Sequence, residues 1–504
     1  MKMTVDKERI LSDYEKLKRL AKKSLARRNG YGFCSLCMQK AAALMYEANL
    51  FYADDDLESL LALLCESFFG GKPHIAKRRA ALGSGPRKKR ILFYDYFALD
   101  NRGLTEQYLA ALFDFDCELF YIGCADGEKS EGIYKKLEAR GVPFFVAREK
   151  NELGRAIAIS DEIEAFCPDI ILAHTSPWDV AGLLSARRFE GLCERWLINI
   201  TDHAFWLGTK AFDYFLHFRN YGFNVSRHNR GIPQEKLYYL PYYPIVNDVP
   251  FEGLGFDAAG KKIIFSGGAL YKIQGSPVYL EIVKRVLQRH EDAVFLYLGG
   301  GDFSCLEKFR EENDFQGRVF FYPERKDVFQ VFKRCDLYLN TYPLMGGLMT
   351  QYACMAGKIP ITLNPNGATD TNNADELLLG KSGVKIQFET QEACEKALDF
   401  YLDNPEALKK DGEKLRQEII EPKFFEECLW SCLNGKKEFP APMRDYQIDA
   451  EKFAQSCVRR LAENPLDNYF SRFLCRDARM ALAFFDCCVT VLFKRCVRKF
   501  FGRF

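Results

Sequence analysis

Apolar positions recur at helical spacing at the start of the chain. Ile10, Tyr14, Leu17 and Leu20 share one face, and Leu57 to Leu64 continues the pattern, so residues 1 to about 70 are predicted to be helical. From Ile91 the period changes. Short apolar runs suited to buried parallel strands occur at Ile91–Tyr94, Glu118–Ile122, Pro143–Val146, Asp169–Ala173, Trp196–Ile200, Tyr214–His217 and Leu237–Leu240. Helical stretches such as Leu104–Phe113, Glu152–Phe166 and Val180–Arg188 lie between them. A second series follows a Pro- and Gly-rich hinge at Pro241 to Gly260. Its strands are predicted at Lys262–Ser266, Val294–Leu298, Val319–Tyr322, Leu337–Asn340, Ile359–Thr362 and Val384–Gln387, with helices at Pro277–Arg289, Leu306–Asn313, Val328–Arg334, Thr350–Ala356 and Glu392–Leu402. The alternation predicts the α/β class: two parallel sheets covered by helices, with a cleft between two sets of strand carboxyl ends. The chain divides into a helical extension with a basic linker at 1–89, an α/β domain at 90–245, a second at 255–420, and a helical extension at 421–504.

Composition narrows the class without altering the fold. The chain has 504 residues, 48% hydrophobic and 28% charged, enough for several packed domains. A formal net charge of +2 carries no global nucleic-acid signal, so no nucleic-acid partner is expected. Charge is concentrated locally from Gly71 to Arg90, where Lys72, Lys77, Arg78, Arg79, Arg87, Lys88, Lys89 and Arg90 occur without an acidic residue; this reads as a solvated linker, or more sharply as an anionic-membrane contact. The 18 cysteines are scattered through predicted elements, as buried thiols in a reducing compartment would be. Cys34-x-x-Cys37 has no second pair at zinc-finger spacing, so no metal site is expected there. The charged N-terminal segment is no signal peptide and no apolar run spans a bilayer, which makes the cytoplasm the expected place.

The stretch Asp336 to Pro360 reads as strand, glycine turn, helix, glycine break and strand. Gly346 and Gly347 let the backbone approach a ligand, and a helix starting there, with Leu348, Met349, Thr350 and Gln351 in its first turns, points free N–H groups into the crevice. An ordinary strand–turn–helix connection has the same pattern. Three further strand-end loops converge with it. Ser266, Gly267 and Gly268 precede Leu270-Tyr271-Lys272-Ile273, where Lys272 suits a diphosphate. Gly300 stands in a glycine run after the next strand, and Tyr322, Pro323 and Arg325 follow the third, framing a base through backbone groups.

These loops resemble the nucleotide-sugar domain of GT-B glycosyltransferases. Leu270-Tyr271-Lys272-Ile273 is similar to the UDP-binding segment of protein O-linked N-acetylglucosamine transferases and their bacterial relatives, and polysaccharide glycosyltransferases share the architecture. The resemblance covers about residues 260 to 365 and implies two Rossmann-like domains, a UDP-sugar donor and diphosphate contact by Lys272. One departure stands out. Many related transferases place an acid five residues before the helix-ending glycine to hold the ribose; here that position is Tyr352, with Gln351 beside it. The paired glutamates of a retaining branch are also missing, since the earlier position is Leu344, which favours inversion.

In the first half, Asn199-Ile200-Thr201-Asp202-His203-Ala204-Phe205-Trp206-Leu207-Gly208 ends a predicted strand and resembles the DH-x-FWLG segment of bacterial GT-B enzymes. Inverting transfer needs a base at the acceptor hydroxyl. His203 suits it by its near-neutral ordinary pKa; Asp202 is the alternative base, and His203 as a sugar or phosphate ligand, or as a core histidine, stays open. Asp100, Asn101, Arg102 and Gly103 form an acceptor-side loop or a helix cap, and His174, with Thr175, Ser176 and Asp179, forms a second acceptor-side candidate. Ser226 and Arg227 follow the sixth strand.

The expected function is transfer of a sugar from a UDP-sugar to a saccharide, glycolipid or protein acceptor in cell-surface glycan assembly, inverting, metal-independent and without a cofactor beyond the donor. The alternatives are a GT-B sugar-nucleotide epimerase and a catalytically silent nucleotide-sugar-binding protein. Met480 to Phe493, followed by Lys494, Arg495, Arg498, Lys499 and Arg503 interleaved with aromatic residues, is expected to lie on an anionic membrane surface at its inner face, with a packed core helix as the alternative.

Overall fold

The apolar runs become the strands of two separate parallel sheets. The computed structural model describes residues 5–71, 73–75, 87–100, 103–125, 127–246, 248–274, 276–436, 444–463, 466–474 and 477–485. The first sheet contains β1 (Lys89–Asp95), β2 (Cys117–Gly123), β3 (Phe144–Val146), β4 (Ile170–His174), β5 (Glu194–Ile198), β6 (Tyr214–His217) and β7 (Leu237–Tyr239), in the order β3-β2-β1-β4-β5-β6-β7. Ile91, Leu92 and Phe93 in β1 are fully buried, as a central strand covered on both faces requires. β1 pairs with β2 from Lys89 opposite Cys117 and with β4 from Ile91 opposite Ile170 to Asp95 opposite His174.

The second sheet contains β8 (Lys262–Gly267), β9 (Ala293–Leu298), β10 (Val319–Tyr322), β11 (Leu337–Leu339), β12 (Ile359–Leu363) and β13 (Gln387–Phe388), in the order β10-β9-β8-β11-β12-β13. Strand order reverses between β1 and β4 in one sheet and between β8 and β11 in the other, which opens a crevice at each set of carboxyl ends. The chain therefore has two Rossmann-like domains.

Three local expectations change. The strand predicted at Val384–Gln387 pairs only as the two-residue β13. The helix predicted from Thr350 starts at Gly347, because the Thr350 N–H already donates to the Gly346 carbonyl at 3.0 Å. The basic strip is partly consumed by folding: Arg87 pairs with Asp169, Lys88 with Asp116 and Arg90 with Glu118, while Lys89 Nζ donates to the Leu433 carbonyl at 3.3 Å. Residues 76–86 of that strip lie outside the described residues.

Helix Pro422–Gly435 returns to the first domain. Phe425 packs edge-on against Tyr108 at 5.2 Å, Trp430 meets Phe115 at 4.6 Å, and Lys436 pairs with Glu194 at 2.6 Å. The two helical extensions pack on each other. Tyr469 Oη donates to Asp13 at 3.1 Å, Lys40 Nζ donates to the Arg472 carbonyl at 2.9 Å, and Arg479 lies over the Phe33 ring. The residues at 478–485 that are described split between the two expectations for the tail. Met480 and Phe484 are buried, with Lys16 over the Phe484 ring, whereas Leu482 and Phe485 are exposed. The tail from 486 lies outside the described residues, and among those described no helix is long and apolar enough to cross a membrane.

The N-terminal extension also grips the loop after β5. Glu58, at the N-terminal end of helix Asp55–Phe69, is buried and accepts the N–H groups of Gly208 at 2.6 Å, Thr209 at 2.9 Å and Lys210 at 3.3 Å. Asn49 Oδ1 accepts Phe205 N–H at 2.7 Å. Removing the carboxylate strands buried donors at about 1–3 kcal/mol each. Glu58→Ala is therefore expected to speed amide hydrogen exchange across 205–210 in the full chain; unchanged protection there would mean that the carboxylate is not what holds the loop.

Candidate active site

Asn340, immediately after β11, organises the turn on the second domain. Its Nδ2 donates to Thr350 Oγ1 at 2.9 Å and Thr362 Oγ1 at 3.1 Å, and its Oδ1 accepts the N–H groups of Thr341 at 3.0 Å and Gly346 at 2.9 Å. With Gly346 held this way, helix Gly347–Met355 begins with no side-chain cap. The N–H groups of its first turn and the positive end of its dipole are left to the crevice, which is what an anion needs.

Lys272 stands at the same place. It lies in the short 3₁₀ turn Leu270–Lys272 after β8, and its ammonium donates to the Met345 carbonyl at 3.3 Å, one residue before Gly346. Burial pulls its pKa below the ordinary lysine value. An enclosed ammonium bonded to a carbonyl gains from an incoming anion. The loops around it are zipped together by the Gly268 N–H to the Leu298 carbonyl at 2.9 Å and the Leu270 N–H to the Gly300 carbonyl at 2.8 Å. Glycine is required at two of these positions: Gly268 has φ +133°, and a Cβ on Gly299 would lie 1.8 Å from the Gly268 carbonyl oxygen.

Several residues expected at the nucleotide are occupied elsewhere. Ser266 is buried and accepts the Tyr279 hydroxyl at 2.5 Å. Thr350 is buried and donates to the Gly346 carbonyl at 3.0 Å, and buried Gln351 donates across the domains to the Tyr242 carbonyl at 2.9 Å and to the Leu377 carbonyl at 3.1 Å. Tyr352, at the ribose-acid position, donates to the Ile245 carbonyl. Tyr322 donates to the Gly255 carbonyl at 3.0 Å, while Arg325 forks onto Asp327 and donates to the Gly253 carbonyl at 2.7 Å. These side chains fasten the hinge and the domain junction. What remains for a nucleotide is backbone at Gly267, Gly300, Pro323, Gly347, Leu348 and Met349, together with Lys272, because the backbone groups of Gly268 and Gly346 are already bonded.

On the first domain Asp202 is buried between the Arg219 guanidinium and the His203 ring. Arg219, directly after β6, donates from Nε to Oδ2 at 2.6 Å and from Nη2 to Oδ1 at 2.9 Å, and His203 Nδ1 lies 3.3 Å from Oδ1. Burial alone would raise the Asp202 pKa, but the Arg219 charge overrides it and holds the carboxyl well below the usual range. So strongly held an acid is a poor general base. It leaves His203 with Nδ1 toward Asp202 and Nε2 on the half-exposed side. The loop is pinned from behind by buried Arg230, which donates to the carbonyls of Ala204 at 2.5 Å and Asp202 at 3.1 Å and lies over the Trp206 ring. Burial and the Arg230 charge pull neighbouring His217 down to about 3, so that histidine stays neutral.

A continuous chain of contacts joins the two halves. Arg219 Nη1 donates to the Thr371 carbonyl at 2.7 Å and Nη2 to Thr371 Oγ1 at 3.2 Å. Next to it, Asn372 Oδ1 accepts the Met345 N–H at 3.0 Å and its Nδ2 donates to the Pro343 carbonyl at 3.0 Å. The path from His203 through Asp202, Arg219, Thr371, Asn372 and Met345 ends at Lys272. Sequence reasoning missed Arg219, Asn340, Thr371 and Asn372. The signal for the last two was the Asn- and Thr-rich run after β12.

Among the acceptor-side candidates, His174 and Asp100 are engaged within the first domain. His174 is buried, 2.8 Å from Asp95 Oδ1 and 3.0 Å from Thr105 Oγ1. Asp100 accepts the N–H groups of Gly132 at 2.9 Å and Ile133 at 2.8 Å, capping the neighbouring helix Glu131–Ala139. Thr175 donates to Asp179, which caps helix Val180–Arg188. Gly103 opens helix Gly103–Asp114, and Asn101 and Arg102 lie outside the described residues. Ser226 accepts from Arg230 and Arg227 pairs with Asp445 at 3.0 Å. A depression of about 520 Å³ lined by Asp169, Glu194, Asp213 and Lys236 lies at the opposite, amino ends of the first sheet's strands.

Residues 255–419 match the family model for glycosyl transferases group 1. No curated protein sequence matches the chain. Among solved structures, a glycosyltransferase from Rickettsia africae is similar at 16% identity and TM-score 0.53, covering 69% of this chain and 100% of its own. HepE of Anabaena, solved in complex with UDP, is similar at 15% identity and TM-score 0.53, again over 69% of this chain and 100% of its own. A candidate UDP-N-acetylglucosamine 2-epimerase from Listeria monocytogenes is similar at 12% identity and TM-score 0.52, over 72% of this chain and 100% of its own. The fold is the GT-B architecture of these structures, and residues 255–419, about a third of the chain, form a glycosyl transferases group 1 domain.

The Asp202–Arg219 pair yields a prediction. Removing the charge from one partner of a buried pair costs about 3–5 kcal/mol, because the other is left uncompensated. Asp202→Asn should destabilise the first domain by that order at neutral pH. Because the folded pKa lies below the ordinary 3.8, the stabilisation is complete above 3.8 and is lost as pH falls through the folded value. Denaturation of both proteins over an acid pH series should show the gap narrowing at the lowest pH. A constant gap would assign the loss to packing.

Proposed function

We propose that the protein transfers a sugar from a UDP-sugar to a saccharide, glycolipid or protein acceptor with inversion of the anomeric centre. The observation that carries the reading is the uncapped helix at Gly347 with Lys272 at its mouth, linked through Asn372 and Thr371 to Arg219, Asp202 and His203. In this reading His203 Nε2 takes the proton of the acceptor hydroxyl. The freed oxygen forms a bond to the anomeric carbon from the face opposite the diphosphate, and the carbon–oxygen bond to the diphosphate breaks. The charge that develops on the leaving oxygen meets the Lys272 ammonium and the N–H groups of Gly347 and Leu348. Asp202 holds Nδ1 and stabilises the imidazolium, and Arg219 fixes Asp202. The proposal assigns diphosphate charge to these groups, with no metal and no cofactor beyond the donor. A place in cell-surface glycan assembly at the cytoplasmic face of a membrane, touched by the C-terminal tail, belongs to the same proposal.

Similarity to the candidate epimerase supports a second reading, in which the same nucleotide cleft serves without an acceptor. UDP release measured with and without acceptors separates the two, and nucleotide binding without release would identify a silent binding protein.

Lys272→Ala is expected to lower turnover by about a hundredfold or more with folding intact, as loss of one contact to developing charge does. Unchanged kinetics would remove Lys272 from the mechanism. A Cβ at Gly347 would meet Leu377 and Tyr242 at no closer than 3.5 Å, so the fold tolerates one. Gly347→Val should nevertheless lose UDP affinity by crowding the ligand. Calorimetry giving wild-type affinity would move the diphosphate elsewhere.

A further inference from the structure

The partly exposed His203 ring meets aromatic side chains from two distant parts of the chain, and a third packs on one of them. Tyr46, from helix Tyr31–Ala48, lies 6.2 Å from the His203 ring at 62°. Phe453, from helix Ala450–Glu463, lies 6.2 Å from it at 88°. Trp178, just after β4, packs on Tyr46 at 5.1 Å and 71°. All four rings are only partly buried. Tyr46 and Phe453 belong to the two terminal extensions, outside the 255–419 domain match.

These rings are held in place. The turn after the Tyr46 helix supplies Asn49 to Phe205 N–H, and Glu58 takes three further N–H groups of the same loop. On the other side, Tyr52, Tyr221 and Val225 pack with Ile448, Ala450 and Phe453. Asp445 secures the entry to this helix by pairing with Arg227 at 3.0 Å and His228 at 2.6 Å. The N-terminal extension is thus fixed to the loop that carries His203, and the C-terminal helix to the helical segment after β6.

We propose that Tyr46, Trp178 and Phe453 form the acceptor subsite and that its occupant is a saccharide. A pyranose has apolar C–H faces and a polar hydroxyl rim. Aromatic faces cover the former, and an outward imidazole nitrogen beside them meets the latter. The rings cross edge to face and are each only partly buried, so part of their surface stays open beside His203. An extended peptide would instead call for a row of backbone hydrogen-bonding partners, and the groups on this rim are rings. The inference rests on the transferase reading and names the acceptor class of that same site.

The test uses the full chain with bound UDP and saturation-transfer NMR. The probes are methyl glycosides of glucose, galactose, mannose and N-acetylglucosamine and, in parallel, a serine- and threonine-containing peptide. At least one glycoside should receive saturation at its ring C–H protons. Tyr46→Ala and Phe453→Ala should each abolish that transfer, with UDP affinity by calorimetry unchanged, and Tyr46→Phe, which keeps the ring, should retain it. Transfer that survives both alanine variants, transfer to no glycoside, or transfer to the peptide alone would overturn the subsite. Failure of the wild-type chain to bind UDP would overturn the transferase reading instead, so the two failures are distinguishable.

Discussion

The buried Arg219 guanidinium ties the two domains into one site. It forks onto Asp202 within the first domain and donates to Thr371 in the second. Burying such a pair carries a desolvation cost that well-packed apolar side chains would avoid, so its value lies in position more than in stability. A planar fork fixes the carboxylate in two directions, a geometry that a lysine could not supply. Asp202 fixes the His203 ring, and Thr371 introduces Asn372, which holds Met345 beside Lys272. The His203 side and the Lys272 side are therefore set relative to each other by one side chain and its immediate neighbours.

The domain junction repeats this principle with weaker bonds. Gln351 reaches the Tyr242 carbonyl, Tyr352 reaches the Ile245 carbonyl, and Tyr221 N–H donates to Glu376 at 2.8 Å. Side chains at positions where related enzymes read the nucleotide are here spent on closing the hinge. Under the proposed function, recognition on the nucleotide side falls to backbone N–H groups and one lysine. That arrangement suits a diphosphate, which presents charge and little shape, and it leaves side-chain specificity to the acceptor side.

The sheets were legible in the sequence because buried parallel strands are nearly continuous apolar runs. β1, β4, β8 and β9 lie within a residue or two of their predicted bounds for that reason. The Gly346–Gly347 turn was legible because paired glycines at a strand end mark a tight turn. His174 and Asp100 misled for the opposite reason. A polar residue at a strand end has many structural uses, and here one joins a buried network with Asp95 while the other caps a helix thirty residues on in the chain. Arg219 was invisible because its meaning depends on a partner 17 residues distant, which no local pattern encodes, and Asn372 was marked only by the Asn- and Thr-rich run around it. The extensions were read as helices, but their contact with the His203 loop is tertiary and has no sequence signature.

The pairing of the two terminal extensions has a consequence for the order in which the protein is made. Helix Ala450–Glu463, with Phe453 beside His203, is synthesised after both Rossmann-like domains, yet its partner helix Tyr31–Ala48 emerges near the start. Contacts between segments some four hundred residues apart, such as Tyr469 with Asp13, close late because so much chain must be brought together first. A nascent chain can fold its two sheets on the ribosome while the wall around His203 is still open. The surroundings of His203 are therefore completed only after both sheets have been made.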